Sequence, residues 1–449
     1  MTKLAMFGGT RTVGPPKTLK AGIGWPVVTA EDEAAVAGVL SAGLFTSNDA
    51  GRGEVSWLQR DWAEYVGTRH CAAVVNGTAA LELALAALDL EPGSEVLVPS
   101  LTFIGSAVPV VQRLLVPVFV DVDPVTFTMN PDAAAAAITP RTRAIMAVHL
   151  HGVPCDLTRL SDLAERHDLH LIEDAAQAHG ATHLGRRVGS IGDINASSLN
   201  VTKNLPTCGE GGLVTTDSDE LHEQVVLRRQ FGESLEAGRE RDYLSRVLAG
   251  NLKLSAVQAA FARSQLERLP EYDAARARNV EAFLARLAEL PGVVVPTCPP
   301  DRTHAWHILR MRLDPEAAGI GDVPAGPFRA VVQRALRAEG VPVQPYQIVP
   351  LPGQRAFRDL IGLGGGYPWR LPGARHVDYR AEDHPTALAV IEDSVTIQRW
   401  HLNPAAGPVL DACADAFAKV WRNLDTLAGL ARSLDYRAPW HAAEAELAA

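Results

Sequence analysis

The sequence predicts an α/β protein with a large, mostly parallel sheet and a smaller C-terminal α+β domain. Two observations carry this prediction. Short runs rich in Val and Ile alternate with helical patterns over the first half of the chain. These runs are apolar throughout rather than at every second position, which is typical of strands buried on both faces of a parallel sheet. A length of 449 residues allows more than one domain and a large core.

The first element is an irregular arm at residues 1–28, rich in Gly, Pro and Lys. A helix should begin after Thr29, a plausible N-cap followed by acidic residues in the first turn. A loop is expected at 45–54. Helices are expected at 78–88 and at 157–168, the second with Asp156 as N-cap. The expected strands are 71–75, 95–98, 116–120, 144–149, 170–173, 195–199 and 213–216.

The second half of the chain gives a different pattern. A charged stretch at 232–246 predicts an exposed loop, and Pro/Gly-rich stretches at 342–353 and 362–373 predict two more. Helical patterns occur at 255–268, 272–290, 328–338 and about 409–431. We expect the segment 272–290 to connect two domains. The predicted division is therefore an arm at 1–28, a large domain at 29–271 and a small domain at 272–449.

Composition excludes several classes of protein. The net charge of −10 argues against nucleic acid or an anionic membrane surface as the main partner. The five cysteines are scattered without a C-x-x-C pair, so neither a disulfide framework nor a structural zinc site is expected. No apolar run approaches the length needed to cross a membrane, and the N-terminus lacks the apolar core of a signal peptide. A cytoplasmic location is the resulting expectation.

Lys203 and Asp174 are the candidate catalytic residues. Lys203 precedes a Gly-rich turn at 209–212, and Asp174 lies 29 positions earlier, at the end of an apolar strand. A lysine amine can form an imine with the aldehyde of pyridoxal phosphate, and an aspartate can keep the ring nitrogen protonated. A lone lysine is more often a solvated surface charge, and Asp174 could instead cap a helix. Other segments favour the cofactor.

Three of those segments lie at strand ends. Gly77 and Thr78 follow a strand and open a helix, where free N–H groups and a hydroxyl could bind a phosphate. Ser198, five residues before Lys203, could add a second hydroxyl. Phe103 could stack on a flat ring, although an aromatic residue after a strand is more often part of a core. Ligands collect beyond the carboxyl ends of strands in open parallel sheets, so the order of these residues is the strongest signal.

Neighbouring residues leave alternatives open. Gln177 and His179 follow Asp174 closely and could reach the ring hydroxyl or the substrate side, but His179 could equally be a core histidine. His149 and His151 would face one side of a strand, which permits a metal site. No acid or cysteine nearby in the sequence completes that site, so a metal is not expected.

With these residues identified, the chain resembles the DegT/StrS sugar aminotransferases, a family of fold-type-I enzymes that use pyridoxal phosphate. The resemblance covers about residues 25–430. It is densest at 76–81, 98–103, 119–123, 148–152, 172–180 and 209–212. It implies a fold-type-I aminotransferase that acts as a homodimer with active sites shared between subunits.

By motif match, the resemblance implies that Lys203 carries the cofactor and that Asp174 faces its ring nitrogen. Phe103 would be the stacking ring, and Gly77, Thr78 and Ser198 the phosphate ligands. Asn251 matches the family asparagine that reaches the phosphate of the neighbouring subunit.

A narrower resemblance concerns the substrate. The segments 4–9 and 25–26 resemble members that aminate cyclitol ketones or make aminohydroxybenzoate in antibiotic pathways. Tyr346 and His401 stand where substrate contacts are expected, and Gln344 and Tyr346 replace the Arg and His of many nucleotide-sugar members. These features imply transfer of an amino group from L-glutamine or L-glutamate to a ketone on a cyclitol or sugar.

Four other functions were weighed. A nucleotide-keto-sugar aminotransferase and an aminohydroxybenzoate synthase-like enzyme stay open as alternatives. A dehydratase of the same family would carry histidine in place of Lys203. A non-catalytic member is disfavoured because Lys203, Asp174 and Ser198 are all present.

Overall fold

The computed structural model describes residues 2–14, 23–47, 51–234 and 241–441. Parts of three predicted segments therefore lie outside the described residues, namely the arm at 1–28, the loop at 45–54 and the loop at 232–246. Within the arm, residues Ala5–Phe7 form a short 3-10 helix, and Leu4 and Val13 are buried.

The first half of the chain builds a seven-stranded sheet in the order β1-β9-β8-β5-β4-β2-β3. Its strands are β1 (His70–Val74), β2 (Glu95–Pro99), β3 (Val116–Val120), β4 (Thr142–Val148), β5 (His170–Asp174), β8 (Ile194–Ser198) and β9 (Gly212–Thr216). The pairs β2–β3, β2–β4, β4–β5 and β5–β8 are parallel, whereas β9 runs antiparallel to both β8 and β1. The predicted mostly parallel sheet is confirmed. The two-residue strands β6 (Thr182–His183) and β7 (Arg186–Arg187) pair in a separate hairpin.

Both faces of this sheet are buried. Side chains alternate between the faces of a strand, and here both sets pack into cores: Val96 and Val98 of β2 lie in one hydrophobic cluster, and Leu97 lies in another. The second cluster includes Leu160 and Leu163 of the helix Leu157–His167. This two-sided burial explains why β3 is apolar at every position and why β2 is apolar from Val96 onward, without an alternating polar pattern.

The described helices surround the sheets. They are Ala30–Ala42, Glu54–Val66, Gly77–Ala87, Val108–Gln112, Pro131–Ala137, Leu157–His167, Asp219–Arg229, Ala256–Ala288, Ala325–Glu339, Arg355–Arg358, Pro385–Asp393, Gly407–Trp421 and Leu424–Arg432. Two predicted caps are present. Thr29 forms a capping box with Asp32, whose Oδ2 accepts from the Thr29 N–H at 2.8 Å, and Asp156 accepts from the Arg159 N–H.

The helix predictions need several corrections. Five helices besides Glu54–Val66 were not predicted, namely Val108–Gln112, Pro131–Ala137, Asp219–Arg229, Arg355–Arg358 and Pro385–Asp393. The segments 255–268 and 272–290 form one helix, Ala256–Ala288, which continues through Pro270. The segment 409–431 contains two helices, with a break between Trp421 and Leu424. The helix Glu54–Val66 was missed, although it buries the apolar side of its surface at helical spacing. The domain boundary at 271/272 stays a prediction, and it falls inside the long helix.

The second half of the chain builds a four-stranded antiparallel sheet in the order β10-β11-β13-β12. Its strands are β10 (Val293–Val294), β11 (Ile308–Leu313), β12 (Val343–Gln344) and β13 (Ser394–Gln398). The hydrophobic core of this half contains Met311 and Ile397 of the sheet, packed with side chains of the helices Ala325–Glu339 and Gly407–Trp421. Among the helices of the described ranges, none has the length and apolar character that crossing a membrane requires.

Candidate active site

Residues from both sheets surround one cavity of about 700 Å³. The parallel strands β2, β5 and β8 end at one edge of the large sheet, where ligands of such sheets bind. Gly212 pairs with both Val74 and Ser198, so β1 also ends at that edge. The small sheet contributes Ile308, Gln398 and the following Arg399 to the lining. Among the residues that line the cavity are eight that were predicted from the sequence: Gly77, Thr78, Phe103, Asp174, Gln177, Ser198, Lys203 and Tyr346.

Gly77, at the start of the helix Gly77–Ala87, packs closely against Ser198 at the end of β8. A Cβ atom on residue 77 would lie 2.7 Å from the Ser198 Cβ, so only glycine fits there. The first N–H groups of a helix have no partner inside the helix. Here the Ala79 N–H donates to the Asn76 Oδ1 at 2.8 Å. The N–H groups at this helix end and the Ser198 hydroxyl make a site suited to an anion such as a phosphate.

Phe103 presents an aromatic surface to the cavity. Its side chain is 59% exposed in the single chain, unusual for a phenylalanine at the end of a buried strand. Gly105 makes room for the ring, because a Cβ on residue 105 would lie 3.0 Å from the Phe103 Cδ1. The sequence alternative, a core role for Phe103, does not fit this exposure.

Asp174 is a buried carboxylate at the end of β5. Its Oδ2 accepts a hydrogen bond of 2.6 Å from the Ser106 hydroxyl, which in turn contacts the Thr102 hydroxyl at 3.0 Å. Its Oδ1 accepts from the Ala176 N–H at 3.1 Å. The segment after Asp174 is a turn rather than a helix, so the helix-cap alternative is not what the structure shows. The carboxylate is fixed in orientation and lines the cavity.

Lys203 lies on the loop that follows β8. Its N–H donates to the Asn200 carbonyl at 2.8 Å, and its carbonyl accepts from the Trp25 indole N–H at 2.9 Å. Burial lowers the pKa of the Lys203 amine, and the charges of Asp174 and Glu210 oppose that shift. A lowered pKa leaves more of the amine neutral, the state needed for nucleophilic attack and proton transfer.

These residues fit pyridoxal phosphate. The glycine turn and helix N-terminus suit its phosphate, the Phe103 ring suits its flat heterocycle, and the buried Asp174 suits a protonated ring nitrogen. A carboxylate with so little exposure is stable only with such a positive or hydrogen-bonding partner. The amine of Lys203 lines the same cavity.

A hydrogen-bond network supports the cavity wall beside Asp174. The Gln177 Nε2 donates to the Tyr346 hydroxyl at 3.3 Å, and its Oε1 accepts from the His151 N–H at 2.8 Å. Arg310, 1% exposed, donates to the His151 Nε2 at 3.0 Å and to the Tyr346 carbonyl at 2.9 Å. Burial lowers the pKa of Arg310 to about 10. Arg310 was not predicted from the sequence, because its hydrogen-bond partners lie far from it in the chain, at His151, at Tyr346 and in the segment 390–394.

Three predicted site residues do not line the cavity. His179 is buried and packs edge-on against Trp62, and His401 is buried with its Nε2 2.7 Å from the Trp306 carbonyl oxygen. Burial lowers the pKa of each imidazole to about 3. His179 thus occupies a core position, the alternative that the sequence left open, and His401 is also buried. Contact of either histidine with the substrate stays a prediction that the described cavity lining does not support. Asn251 is exposed and accepts from the Lys253 amine at 2.6 Å, so a role toward a neighbouring subunit stays a prediction.

His307, by contrast, does line the cavity. Its Nδ1 lies 3.0 Å from the Asn204 Oδ1, so this nitrogen carries the proton and donates. Burial, reinforced by the charge of Lys203, lowers the pKa of His307 well below its usual value. A neutral histidine therefore faces the lysine.

His149 and His151 do not share a metal site. The His149 Nδ1 accepts from the Cys155 N–H, so its Nε2 donates to Glu173 at 2.9 Å. Glu173 also accepts from the N–H groups of Gly189, Ile191 and Gly192. Burial alone would raise the pKa of Glu173, but these hydrogen bonds keep it lowered. In the described ranges, no group of three or more His, Cys, Asp or Glu side chains is placed to hold a metal ion.

The chain matches known proteins over most of its length. Residues 26–380 match the DegT/DnrJ/EryC1/StrS aminotransferase family. A dTDP-3-amino-3,4,6-trideoxy-alpha-D-glucose transaminase of Streptomyces venezuelae is 38% identical over 285 residues, which cover 64% of this chain and 73% of that protein. An L-glutamine:2-deoxy-scyllo-inosose aminotransferase of Streptoalloteichus tenebrarius is 38% identical over 327 residues, which cover 70% of this chain and 75% of that protein.

A solved structure agrees with these relatives. The crystal structure of 3-amino-5-hydroxybenzoic acid synthase superposes with a TM-score of 0.75 at 30% sequence identity, covering 88% of this chain and 98% of that one. The predicted fold, enzyme class and cofactor are confirmed. The chain belongs to the DegT/DnrJ/EryC1/StrS aminotransferase family, and it is a pyridoxal-phosphate-dependent aminotransferase.

Proposed function

We propose that this enzyme transfers the amino group of L-glutamine or L-glutamate to a ketone on an uncharged cyclitol or sugar, in an antibiotic-type biosynthetic pathway. The observation that carries this choice of acceptor is a side pocket beside the main cavity. One curated relative is named an L-glutamine:2-deoxy-scyllo-inosose aminotransferase, which supports both the donor and the acceptor class.

The side pocket has a volume of about 600 Å³ and shares Thr102, Phe103, Tyr346 and Gln398 with the main cavity. Gln344, Gln347 and Gln354 add further amides, and none of its described lining residues is charged. An amide both donates and accepts hydrogen bonds, so it can bind hydroxyl groups of either orientation. Both amide atoms of Gln347 are buried without a hydrogen-bond partner in the described chain, which leaves them available to a ligand.

Two other acceptor classes are weaker fits. Proteins recognise phosphate groups mostly through arginine, lysine or helix ends. The side pocket itself offers no cation, and Arg399, which lines the adjoining main cavity, is not among its lining residues. This disfavours a nucleotide keto-sugar, although one relative is named as a dTDP-sugar transaminase. An aminohydroxybenzoate-type reaction is the other alternative, named for the superposed synthase. An aromatic ring has fewer hydroxyl groups than a cyclitol to pair with the buried amide of Gln347, and an unpaired buried amide is costly.

The roles of the site residues follow from their positions. When bound, pyridoxal phosphate supplies an aldehyde that exchanges amino groups and a ring that withdraws electrons. We assign to Lys203 the covalent attachment of the cofactor and the movement of a proton at the α-carbon of the donor. Asp174, held by Ser106, keeps the ring nitrogen protonated. Gly77, Thr78 and Ser198 bind the phosphate, and Phe103 stacks on the ring.

The proposed assembly is a homodimer in which Asn251 reaches the phosphate site of the second copy. Its support is that Asn251 is exposed and does not line the cavity of its own chain. Gln177 and Tyr346 remain on the substrate side, linked by their hydrogen bond.

An acceptor panel tests the proposed function. Purified enzyme loaded with pyridoxal phosphate is given L-glutamine and either keto-cyclitols or nucleotide keto-sugars, and aminated products are identified by mass spectrometry. We expect transfer to the uncharged ketones. In Gln347→Leu the KM for the cyclitol ketone should rise up to about tenfold, the scale of one lost hydrogen bond. Gln112→Leu, at an exposed glutamine on the helix Val108–Gln112, is the matched control. Transfer to nucleotide-linked ketones alone would reject this acceptor class.

A further inference from the structure

The main cavity contains a cation that the cofactor does not require. The cationic side chains among its described lining residues are Lys203 and Arg399. Arg399 directly follows β13 and is exposed. In the described ranges, no carboxylate lies within ion-pair distance of its guanidinium, in contrast to Arg312 on β11, which pairs with Asp393. Arg399 is therefore a positive charge without a carboxylate partner in the described ranges, and it lines the same cavity as the catalytic lysine.

The backbone conformation at Arg399 and the hydrogen bonds of its loop hold this residue in a defined position. Its backbone φ is +66°, a left-handed conformation that is uncommon for a residue other than glycine and that often marks a functional site. The loop is held by the Leu402 N–H, which donates to the Arg399 carbonyl at 3.0 Å, and by the buried His401, whose ring contacts the Trp306 carbonyl. The conformation turns the chain out of β13 at the cavity edge.

The charges around the cavity indicate what Arg399 can bind. The other charged lining residues besides Lys203 are the acids Asp174 and Glu210, and the side pocket has none. The phosphate site lies on the large sheet, at Gly77 and Ser198, whereas Arg399 belongs to the small sheet. A small molecule with an anionic group would therefore find its partner at Arg399. An α-amino acid always carries such a group, and an uncharged cyclitol does not.

We propose that Arg399 binds the α-carboxylate of the amino donor and thereby directs the α-amino group of the donor toward Lys203. This inference rests on the proposed function for the donor but not for the acceptor. An arginine side chain can hold a carboxylate with two parallel hydrogen bonds, which fixes orientation as well as position. The neutral acceptor binds in the glutamine-lined side pocket without using Arg399. The amino donor and the ketone acceptor thus react in the same cavity but are bound by different side chains.

The test measures the two half-reactions separately. The donor half-reaction is followed by the absorbance change of the cofactor as L-glutamine is varied, in the wild type and in Arg399→Gln and Arg399→Lys. Loss of a charge-assisted hydrogen-bonded pair should raise the KM for L-glutamine about 10- to 100-fold in Arg399→Gln, with a smaller rise in Arg399→Lys. The maximal rate of the donor half-reaction should fall as well, because the donor is no longer held in one orientation. The KM for a neutral acceptor should change by less than about twofold, below the scale of one hydrogen bond. Arg437→Gln, at an exposed arginine outside the cavity, is the control.

A second readout does not depend on turnover. Glutaramate, which is L-glutamine without its amino group, is titrated into the loaded enzyme by calorimetry. We expect its binding to weaken about 10- to 100-fold in Arg399→Gln and to stay unchanged in the control. A raised KM for the acceptor with unaltered donor binding would overturn the proposal and assign Arg399 to an acceptor anion. Equal glutaramate affinity in wild type and Arg399→Gln would also overturn it. Failure of the acceptor panel alone leaves both donor readouts intact, so the two proposals fail separately.

Discussion

Replacing Lys203 with alanine is expected to abolish transamination and the absorbance that the attached cofactor gives the enzyme. The variant loses the covalent attachment point and the group that moves the proton at the donor's α-carbon. Loss of a general acid–base group alone slows a reaction about 10²- to 10⁴-fold. Lys203 makes no side-chain hydrogen bond that the fold needs in the described chain, because its contacts there are through the backbone. The unfolding temperature should therefore change little.

Lys3→Ala is the matched control for Lys203→Ala, because Lys3 is exposed and lies outside the cavity. Addition of a small primary amine should partly restore the donor half-reaction in Lys203→Ala if the missing group is an amine that moves a proton. The account fails if Lys203→Ala turns over within about tenfold of the wild type, far less than loss of a general acid–base group causes.

Asp174→Asn is expected to give the second largest loss, roughly 10²- to 10³-fold in the donor half-reaction, the scale of removing one preorganised electrostatic group. Asparagine has nearly the shape of aspartate and can still accept one hydrogen bond from Ser106 or the Ala176 N–H. It cannot hold a proton on the ring nitrogen as a carboxylate does. The measurement is the single-turnover rate with L-glutamine beside a thermal unfolding curve.

The two measurements separate the roles of Asp174. A catalytic partner of the ring gives a large rate loss with a small shift in unfolding temperature. A residue whose main task is to hold the turn through the Ala176 N–H gives parallel losses in both. Ser106→Ala is informative as a control, because it removes the hydroxyl that orients the carboxylate but keeps the charge. Its rate should lie between those of the wild type and Asp174→Asn.

The large sheet and much of the candidate site could be predicted from sequence because their signals are local. Short apolar runs are followed within a few residues by polar or glycine residues, as at Asn76 and Gly77 after β1, or end on one, as at Asp174 in β5. Parallel strands bring those successive ends to one edge. A linear order of motifs therefore predicted a spatial cluster.

The failures involve contacts between distant segments. Pro270 predicts a helix break because it lacks an N–H, yet the helix Ala256–Ala288 continues, packed against the helices Ala30–Ala42, Glu54–Val66 and Gly407–Trp421. The partner of His149 is Glu173, 24 residues away on the neighbouring strand β5. No local pattern marks that pairing.

Arg399 was missed for a different reason. The segment 392–401 resembles a substrate-facing strand and loop of the family, but the resemblance selected His401 and not Arg399. Only the fold places Arg399, after β13, in the same cavity as Lys203 and shows that the guanidinium lacks an acidic partner in the described ranges. His179 and His401 show the converse case, in which the sequence offered a substrate contact and the structure buries both side chains outside the cavity lining.

The lysine that carries the cofactor can be identified by chemical trapping. The enzyme is mixed with pyridoxal phosphate, treated with borohydride to fix any lysine–cofactor bond, digested with protease and analysed by mass spectrometry. We expect the modified peptide to contain Lys203, and we expect prior incubation with L-glutamine to reduce the modification strongly. Modification of another lysine in place of Lys203, or of no lysine, would show that Lys203 does not carry the cofactor.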